Sequence, residues 1–454
     1  MPDRGRAEMA VDIMVIDTQR WRRRLWWAVV LLLVLAWGAE LTRVWRITNG
    51  NDLAVFLRAA ERVVAGEDIY ADTAAFQQAL EAGTFSLRDD TVVWPYAYPP
   101  FIAVMMVPAT YLPSALVQAL WWAFGLASLL LGSWLTVRAV GVGRDSEGLE
   151  PQILALVLLV LYRFEPAVSA LRLGQIEPLQ FLLMALNLYA LQRDGNKWQG
   201  IGGAALGLAT GLKFFPGALV ALLIWRGRWR AAAWAVGVAV VTIVGPALIT
   251  GFHPADYLRY ASLYGIGGAF AAFPLNQSLN GLFSRNLIHN VFTATLKGVH
   301  LPTLAAALTL GSSAVIVAAS AWLTRPARLF AKDNDEADDS ASFALAYGLA
   351  VMALLLVSPH SQVYAYVWAL IPLLALLSWQ AMATDRLGLG GWLGVIAAYL
   401  LIGRRIVVIL PGVTRFSQSH VLFGALLLWG LLAMALWRDR LADRGVARRS
   451  QSGG

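Results

Sequence analysis

Apolar runs of about the length needed to cross a bilayer recur between residues 25 and 437, and no other feature limits the fold as strongly. Hydrocarbon offers the backbone no hydrogen-bond partner, so such runs must cross as helices that satisfy their own peptide groups. Composition agrees: 58% of the 454 residues are hydrophobic and only 14% charged, too little charge to cover a soluble body of this length. Nineteen Trp and thirteen Tyr suit aromatic belts at the two interfaces. The expected class is an all-α polytopic membrane protein.

Spans are expected near 25–45, 114–137, 151–171, 176–192, 200–213, 215–225, 231–250, 302–324, 343–358, 362–379, 391–410 and 420–437, about twelve in all. The stretch PPFIAVMMVPATYLP (99–113) is apolar but short and bracketed by prolines, and reads as an interfacial or re-entrant piece. Residues 25–45 read as a retained first span, because no small-residue cleavage site follows them. With the N-terminus inside, Arg20, Arg22 to Arg24, the RGRWR loop at 226–230, Arg386 and the C-terminal arginines all face the cytoplasm. This is the positive-inside pattern, and it accounts for the net charge of +8 without nucleic acid. The expected layout is a cytoplasmic tail at 1–24, a membrane domain at 25–437 with outer segments 46–113 and 251–301, and a cytoplasmic tail at 438–454. The charge run KDNDEADDS (332–340) reads as a solvated inner linker.

Polar residues at the edge of hydrocarbon are the candidates for chemistry. In NDLAVFLRAAERVVAGEDIY (51–70), Leu53, Phe56, Leu57, Ala60 and Val63/Val64 recur at helical spacing, with Arg58, Glu61 and Arg62 opposite. A surface helix ending near Gly66 follows, with Asp52 in its first turn. The carboxylate is either a helix cap or a general base. WPYAYPPF (94–101), which includes Tyr98, is an interfacial anchor or a ligand contact. RLGQIEP (172–178) puts Arg172, Gln175 and Glu177 at an outer turn, where polarity serves the turn or a site. Lys213, in GLKFFPG (211–217), lies between two short apolar helices; a phosphate role is preferred there to snorkelling. In FPLNQSLNGLFSR (273–285), Asn276, Gln277, Asn280 and Arg285 are able to meet sugar hydroxyls or phosphate, or to satisfy their own loop. SPHSQVYAY (358–366) carries His360 on the side expected for Asp52. The five histidines are too scattered for a metal cluster, and with no Cys in the chain there are no disulfides, thiolate metal sites or Cys nucleophiles.

In their order, NDLAVFLRAAERVVAGEDIY, YAYPPF, GQIEP, GLATGLKFFP, NQSLNG and SPHSQVYAY resemble the bacterial polyprenol-phosphate-mannose-dependent alpha-mannosyltransferases of the GT-C superfamily, from about residue 25 to 437. The resemblance implies a GT-C glycosyltransferase fold and a polyprenyl-phosphate sugar donor, mannose by default. It also implies a glycolipid or glycan acceptor and a site on the outer face of the plasma membrane. Asp52 occupies the position of that family's proposed general base, and Lys213 and His360 match positions near the donor phosphate. Glu177 departs from the Asn expected in many relatives.

The expected mechanism is one inverting displacement. Asp52 takes the proton of the acceptor hydroxyl, and Lys213, with His360 or Arg285, stabilises the departing phosphate. Gln175, Asn276, Gln277 and Tyr98 are the expected substrate contacts, and neither metal nor cofactor is required. The competing classes are a transporter or flippase of a lipid-linked saccharide, suggested by intramembrane Arg163 and Glu165, and a non-catalytic membrane scaffold.

Overall fold

A computed structural model of the chain describes residues 4–82, 94–140, 150–251, 257, 261–268, 270–289, 292, 300–325, 340–381, 387–404 and 417–452. Residues 332–339 of the inner charge run, His253 with part of the second outer segment, and Arg386 lie outside the described residues. Among the described residues the only strand-like pairing is an isolated antiparallel bridge between Asn276 and Gln362; the rest of the regular structure is helical. In chain order the helices are α1 (Arg4–Arg46), α2 (Asn51–Ala65), α3 (Ala71–Glu81), α4 (Pro100–Met106), α5 (Ser114–Ala139) and α6 (Glu150–Leu161). Next come α7 (Glu165–Leu173), α8 (Glu177–Leu191), α9 (Asn196–Leu212), α10 (Leu219–Trp225), α11 (Trp229–Thr250) and α12 (Leu279–Leu287). The last are α13 (Pro302–Thr324), α14 (Ser340–Val357), α15 (Leu370–Ala381), α16 (Gly388–Gly403) and α17 (His420–Ser452).

Among the described residues six helical stretches are long and apolar enough to cross a membrane: Trp21–Arg46, α5, α11, α13, Val363–Gln380 and His420–Arg440. A seventh is added if the bent pair Pro151–Leu161 and Glu165–Leu173, with 71° between its halves, counts as one span. These lengths do not confirm the expectation of about twelve; the shorter apolar helices Pro100–Tyr111, Phe215–Trp225, Ser342–Val357 and Gly388–Gly403 fall below the length that crosses. The apolar sequence is interrupted at Arg163, at Gly174–Gln175 and at Lys213 before the flanking helices reach ~20 residues. The proline-bracketed 99–113 stretch forms α4 and a short 3-10 turn, Val107–Tyr111, well below crossing length. Val363–Gln380 is 89% buried, whereas the Trp21–Arg46, α5, α11 and α13 windows are only 17–28% buried. One rod thus stands at the centre, and lipid-facing helices surround it.

Each helix break is sealed. Trp37 Nε1 donates to Leu158 O at 2.9 Å and Tyr399 OH to Val160 O at 3.0 Å, both carbonyls in the last turn of α6. Arg404 Nη1 donates to Arg163 O at 2.7 Å. At the second break Gln180 Nε2 reaches Ala209 O at 2.9 Å, at the end of α9. These donors supply what lipid does not. Arg163 and Glu165, expected from the sequence to lie within the membrane, are engaged locally, by Glu40 at 3.3 Å and by the Ser169 hydroxyl at 2.9 Å respectively.

A second apolar cluster roofs one end of the bundle. Leu53, Val55, Phe56, Ala59 and Ala60 form the buried face of α2 and pack on Tyr96, Tyr98, Ile102, Ile176 and Leu212. Gly66 ends α2 in the left-handed region, as its sequence position requires. Asp72 of α3 binds Arg62 at 2.7 Å and Arg58 at 3.4 Å, which ties the polar face of α2 to the next helix. Gly203, Gly207 and Gly211 form a stripe that lets α9 lie against α11. A Cβ at Gly207 would stand 2.6 Å from Ala235 O. Because α9 ends at Leu212, this contact sets the height of Lys213.

Gly207→Ala should push α9 off α11 and cost about 1–3 kcal/mol of stability, the usual range for overpacking. Gly237→Ala, on α11 with nothing within 4 Å of the added carbon, should leave stability unchanged or improve it. Thermal unfolding of the two purified variants compares the positions directly.

Candidate active site

Asp52 is not the cap of its helix. Gly50 holds the N-cap position in the left-handed region, φ 59°, and no side chain caps it. The Asp52 carboxylate instead accepts a hydrogen bond from Gln175 Nε2 at 2.6 Å, and Gln175 Oε1 accepts from Tyr98 OH at 3.2 Å. The turn that delivers Gln175 depends on Gly174. Its φ is 74°, and a Cβ there would lie 2.7 Å from that of Leu53, beside Asp52. Trp121 Nε1 holds the same turn by donating to Gly174 O at 2.9 Å.

Lys213 enters from the end of α9. The chain leaves α9 in an extended conformation at Lys213, and Pro216 then starts a 3-10 turn before α10. Its ammonium lies 2.8 Å from Glu177 Oε1 and faces the rings of Tyr98 and Tyr364, 5.3 and 5.6 Å from their centres. Glu177 is fully buried, and its Oε2 has no hydrogen-bond partner. Its cost in desolvation is met chiefly by Lys213.

Between these groups lies a cavity of about 1020 Å³, measured with its open mouth. Asp52, Tyr98, Lys213, His360, Gln362 and Tyr364 supply its polar wall; Trp94, Phe215, Phe270 and Phe273, with Tyr257 and Tyr264, supply an aromatic one. Asp52 and Lys213, distant in sequence, thus face one space. The polar groups are concentrated at one wall, so a bound molecule would meet a carboxylate and an ammonium across it while its apolar parts lay on rings.

Burial pushes the Asp52 carboxyl up to about 7; the Glu177 charge adds to the rise, while the Gln175 hydrogen bond and Lys213 oppose it. Asp52 is therefore poised to exchange a proton near neutrality. His360 is pushed the other way, to about 3, by burial and by the Lys213 charge. It is neutral, packed on the Tyr264 ring with centroids 4.7 Å apart. Its Nε2 pairs with the Gln362 amide nitrogen at 2.8 Å, which assigns the ring proton to Nδ1. His360 lines the cavity as a hydrogen-bonding group and not as a cation. Tyr98 is held well above the usual phenol range by burial, with Glu177 and Asp52 adding to it, so it stays a hydroxyl.

Four expected contacts stand elsewhere. Arg285 is fully buried and off the cavity wall. It donates to Phe273 O at 3.0 Å, to Asn276 O at 2.5 Å and to Ser419 Oγ at 2.6 Å. It clamps the 273–276 turn to the start of α17 and does not line the cavity. Asn276 spends its amide on Ala271 O and Pro359 O, and its oxygen on Ser278 and Ser361 N. Gln277 donates to Pro274 O and Gln418 O, and Asn280 to Gly265 O and Pro359 O. Both are buried structural amides. These residues brace the turn that carries His360 instead of meeting a substrate.

Tyr264, Tyr364, Gln362 and the aromatic wall were not singled out from the sequence. The signal available was local: Gln362 and Tyr364 fall inside the SPHSQVYAY stretch that carried His360. Glu177 was noticed as an oddity, and the structure supplies its partner. Among the described residues no group of three His, Asp or Glu side chains comes together to hold a metal ion.

The sequence model of glycosyltransferase family 87 matches residues 96–359. The chain is 29% identical over 270 residues to the polyprenol-phosphate-mannose-dependent alpha-(1-2)-phosphatidylinositol pentamannoside mannosyltransferase of Mycobacterium tuberculosis (strain CDC 1551 / Oshkosh), covering 58% of this chain and 57% of that one. The protein of the same description from Mycolicibacterium smegmatis is 27% identical over 269 residues, 57% of this chain and 59% of the relative. An alpha-(1->3)-arabinofuranosyltransferase of Mycobacterium tuberculosis (strain ATCC 25618 / H37Rv) is 30% identical over 221 residues, 48% and 45% of the two chains. The matches thus span about half the length of these curated relatives. No solved structure matches. With the family match covering more than half of its length, the chain belongs to glycosyltransferase family 87.

Proposed function

We propose that this chain is a membrane glycosyltransferase that moves a sugar, mannose first, from polyprenyl phosphate to a glycolipid or glycan acceptor. The reaction takes place on the outer face of the plasma membrane, with both termini cytoplasmic. The single observation that supports this most is the shared cavity, lined both by a carboxylate that titrates near neutrality and by an ammonium. The relatives' descriptions support the donor class and mannose; the arabinofuranosyltransferase relative keeps a pentose within the same range.

The chemistry is one inverting displacement. The acceptor oxygen forms a bond to the anomeric carbon while the bond from that carbon to the phosphate oxygen breaks. The acceptor proton passes to Asp52, and the electron pair of the broken bond leaves on the phosphate. A phosphodiester becomes a phosphate monoester, so negative charge grows at the leaving group, where Lys213 stabilises it. Glu177 holds Lys213 at 2.8 Å, and an arriving phosphate competes with Glu177 for that cation. His360, neutral, contributes a hydrogen bond and no charge. The aromatic wall takes the sugar face and the first isoprene units. No step in this scheme calls on a metal or cofactor.

Asp52→Asn should lower the rate of transfer from polyprenyl-phosphate mannose by about 10²–10⁴-fold, the usual worth of a general base. Donor binding and thermal unfolding should stay near wild type. Transfer at the wild-type rate would remove the base assignment. Counterflow of labelled lipid-linked saccharide in sealed vesicles that survives the substitution would favour transport instead.

The base must be ionised to work, so kcat/KM should rise with pH along an acid limb centred near pH 7. Glu177→Gln removes a like charge and should move that limb to lower pH; Lys213→Met removes an opposite charge and should move it higher. Steady-state rates between pH 5 and 9 read both directions, and a limb that ignored both variants would count against Asp52 as the titrating group.

A further inference from the structure

A second charged cluster stands at the Asp52 end of α1, outside the cavity. Glu40 is only 4% exposed. Arg43, one turn further along, donates Nε to Glu40 Oε2 at 3.0 Å and Nη2 to Oε1. Arg163, at the bend between α6 and α7, brings its Nε to 3.3 Å from the same Oε2. Arg404, at the end of α16, donates Nη1 to Arg163 O at 2.7 Å, and its charge reaches Glu40. Three guanidinium groups from three segments therefore gather around one buried carboxylate. Glu165 is the other acid whose charge reaches Arg43, and it accepts the Ser169 hydroxyl. None of Glu40, Arg43, Arg163 and Arg404 lines the cavity.

Three features ask for an occupant. The first is charge: among the described residues three cations face two acids, a surplus of one positive charge, which one singly charged anion would neutralise. The second is backbone: Arg163, with φ 52°, is the one non-glycine residue at positive φ among the described residues. A glycine would make the same bend without strain, so the guanidinium is kept at a cost in conformation. The third is depth. The Trp21–Arg46 span of 26 residues rises roughly 39 Å against a hydrocarbon core of ~30 Å, so its last turns reach the headgroup layer. There the Arg43 and Arg163 side chains are 44% and 52% exposed. Glu40 occupies only one edge of the Arg43 fork and the Nε of Arg163, which leaves the other N–H groups of these forks for an acceptor from outside.

We propose that Arg43, Arg163 and Arg404 form a site for the phosphodiester headgroup of a membrane lipid, seated between α1 and α16 where both pack on α7. The phosphate accepts from the guanidinium forks, and its single negative charge closes the local balance. The acyl chains run down the exposed apolar face of α16 at Leu393, Ile396 and Leu400. A generic interfacial anchor would need neither a strained arginine nor the carboxylate that aligns two of the three forks. The site goes beyond the catalytic reading and does not depend on it.

The test uses the purified full chain, delipidated in neutral detergent, and follows lipid retention by native mass spectrometry. Phosphatidylglycerol should bind, whereas diacylglycerol of the same chains and inorganic phosphate should not compete for it. Arg163→Gly keeps the positive φ without strain and removes one fork, so it should fold normally and weaken phosphatidylglycerol binding about tenfold or more. Arg43→Gln should weaken it in the same direction. Equal retention of diacylglycerol, displacement by inorganic phosphate, or wild-type binding by Arg163→Gly would each overturn the proposal.

Discussion

Breaking a helix inside a bilayer strands peptide groups where no water can reach them, and the site of this protein is built on such breaks. The sealing groups come from distant parts of the chain. Trp37 and Tyr399 close the end of α6, and Gln180 closes the end of α9. Without the second closure Lys213 would not emerge in an extended conformation with its ammonium turned toward the cavity. The same economy appears at Gly174, where a left-handed turn ends α7 and aims Gln175 at Asp52. A straight helix could offer one residue per turn to such a site. A broken one presents backbone and side chains together.

The charges follow from that architecture. Asp52 and Glu177 are two acids serving one lysine, and neither is bathed in bulk water. Glu177, fully buried, holds the ion pair, so Asp52 carries the excess negative charge at the cavity wall. Burial and Glu177 lift its affinity for a proton to the level a base needs at neutral pH. An incoming phosphate reverses the arithmetic. On the proposed mechanism it would draw Lys213 away from Glu177, leave two acids less well compensated, and so make Asp52 a stronger base toward the acceptor's proton. The leaving group's charge and the base's strength are thus coupled through one cation.

What the sequence made legible was local and periodic. The apolar face of α2 was written in Leu53, Phe56 and Ala60, and the break at Lys213 in its flanking short apolar runs and Pro216. The meeting of Asp52, Lys213 and His360 at one cavity was anticipated only through the order of several weak motifs. Two things were not legible. Span length was one: the charges of Arg163 and Glu165 interrupt the apolar run at 151–171, yet they do not tell that the backbone turns by 71° there. The use of buried polar residues was the other. Arg285, Asn276 and Gln277 have the side chains a sugar or phosphate would want, yet carbonyls exposed by an irregular turn want the same donors. Only coordinates tell which claimant reaches them first, and here the turn does.

That competition also explains why the second outer segment contributes rings where amides were expected. The 273–278 turn has only an isolated bridge and no helix of its own to absorb its carbonyls, so Asn276, Asn280 and Arg285 are consumed in holding it to Pro359 and Ser419. Once rigid, the turn fixes Pro359, and with it His360, while Phe270 and Phe273 project into the cavity. The amides therefore act one layer behind the surface that a substrate would touch. A lipid-linked sugar entering such a cavity meets rings on the side built from this turn and ionic groups on the side built from broken helices. On the proposed function, the two chemically different halves of the donor would be sorted onto surfaces of matching character.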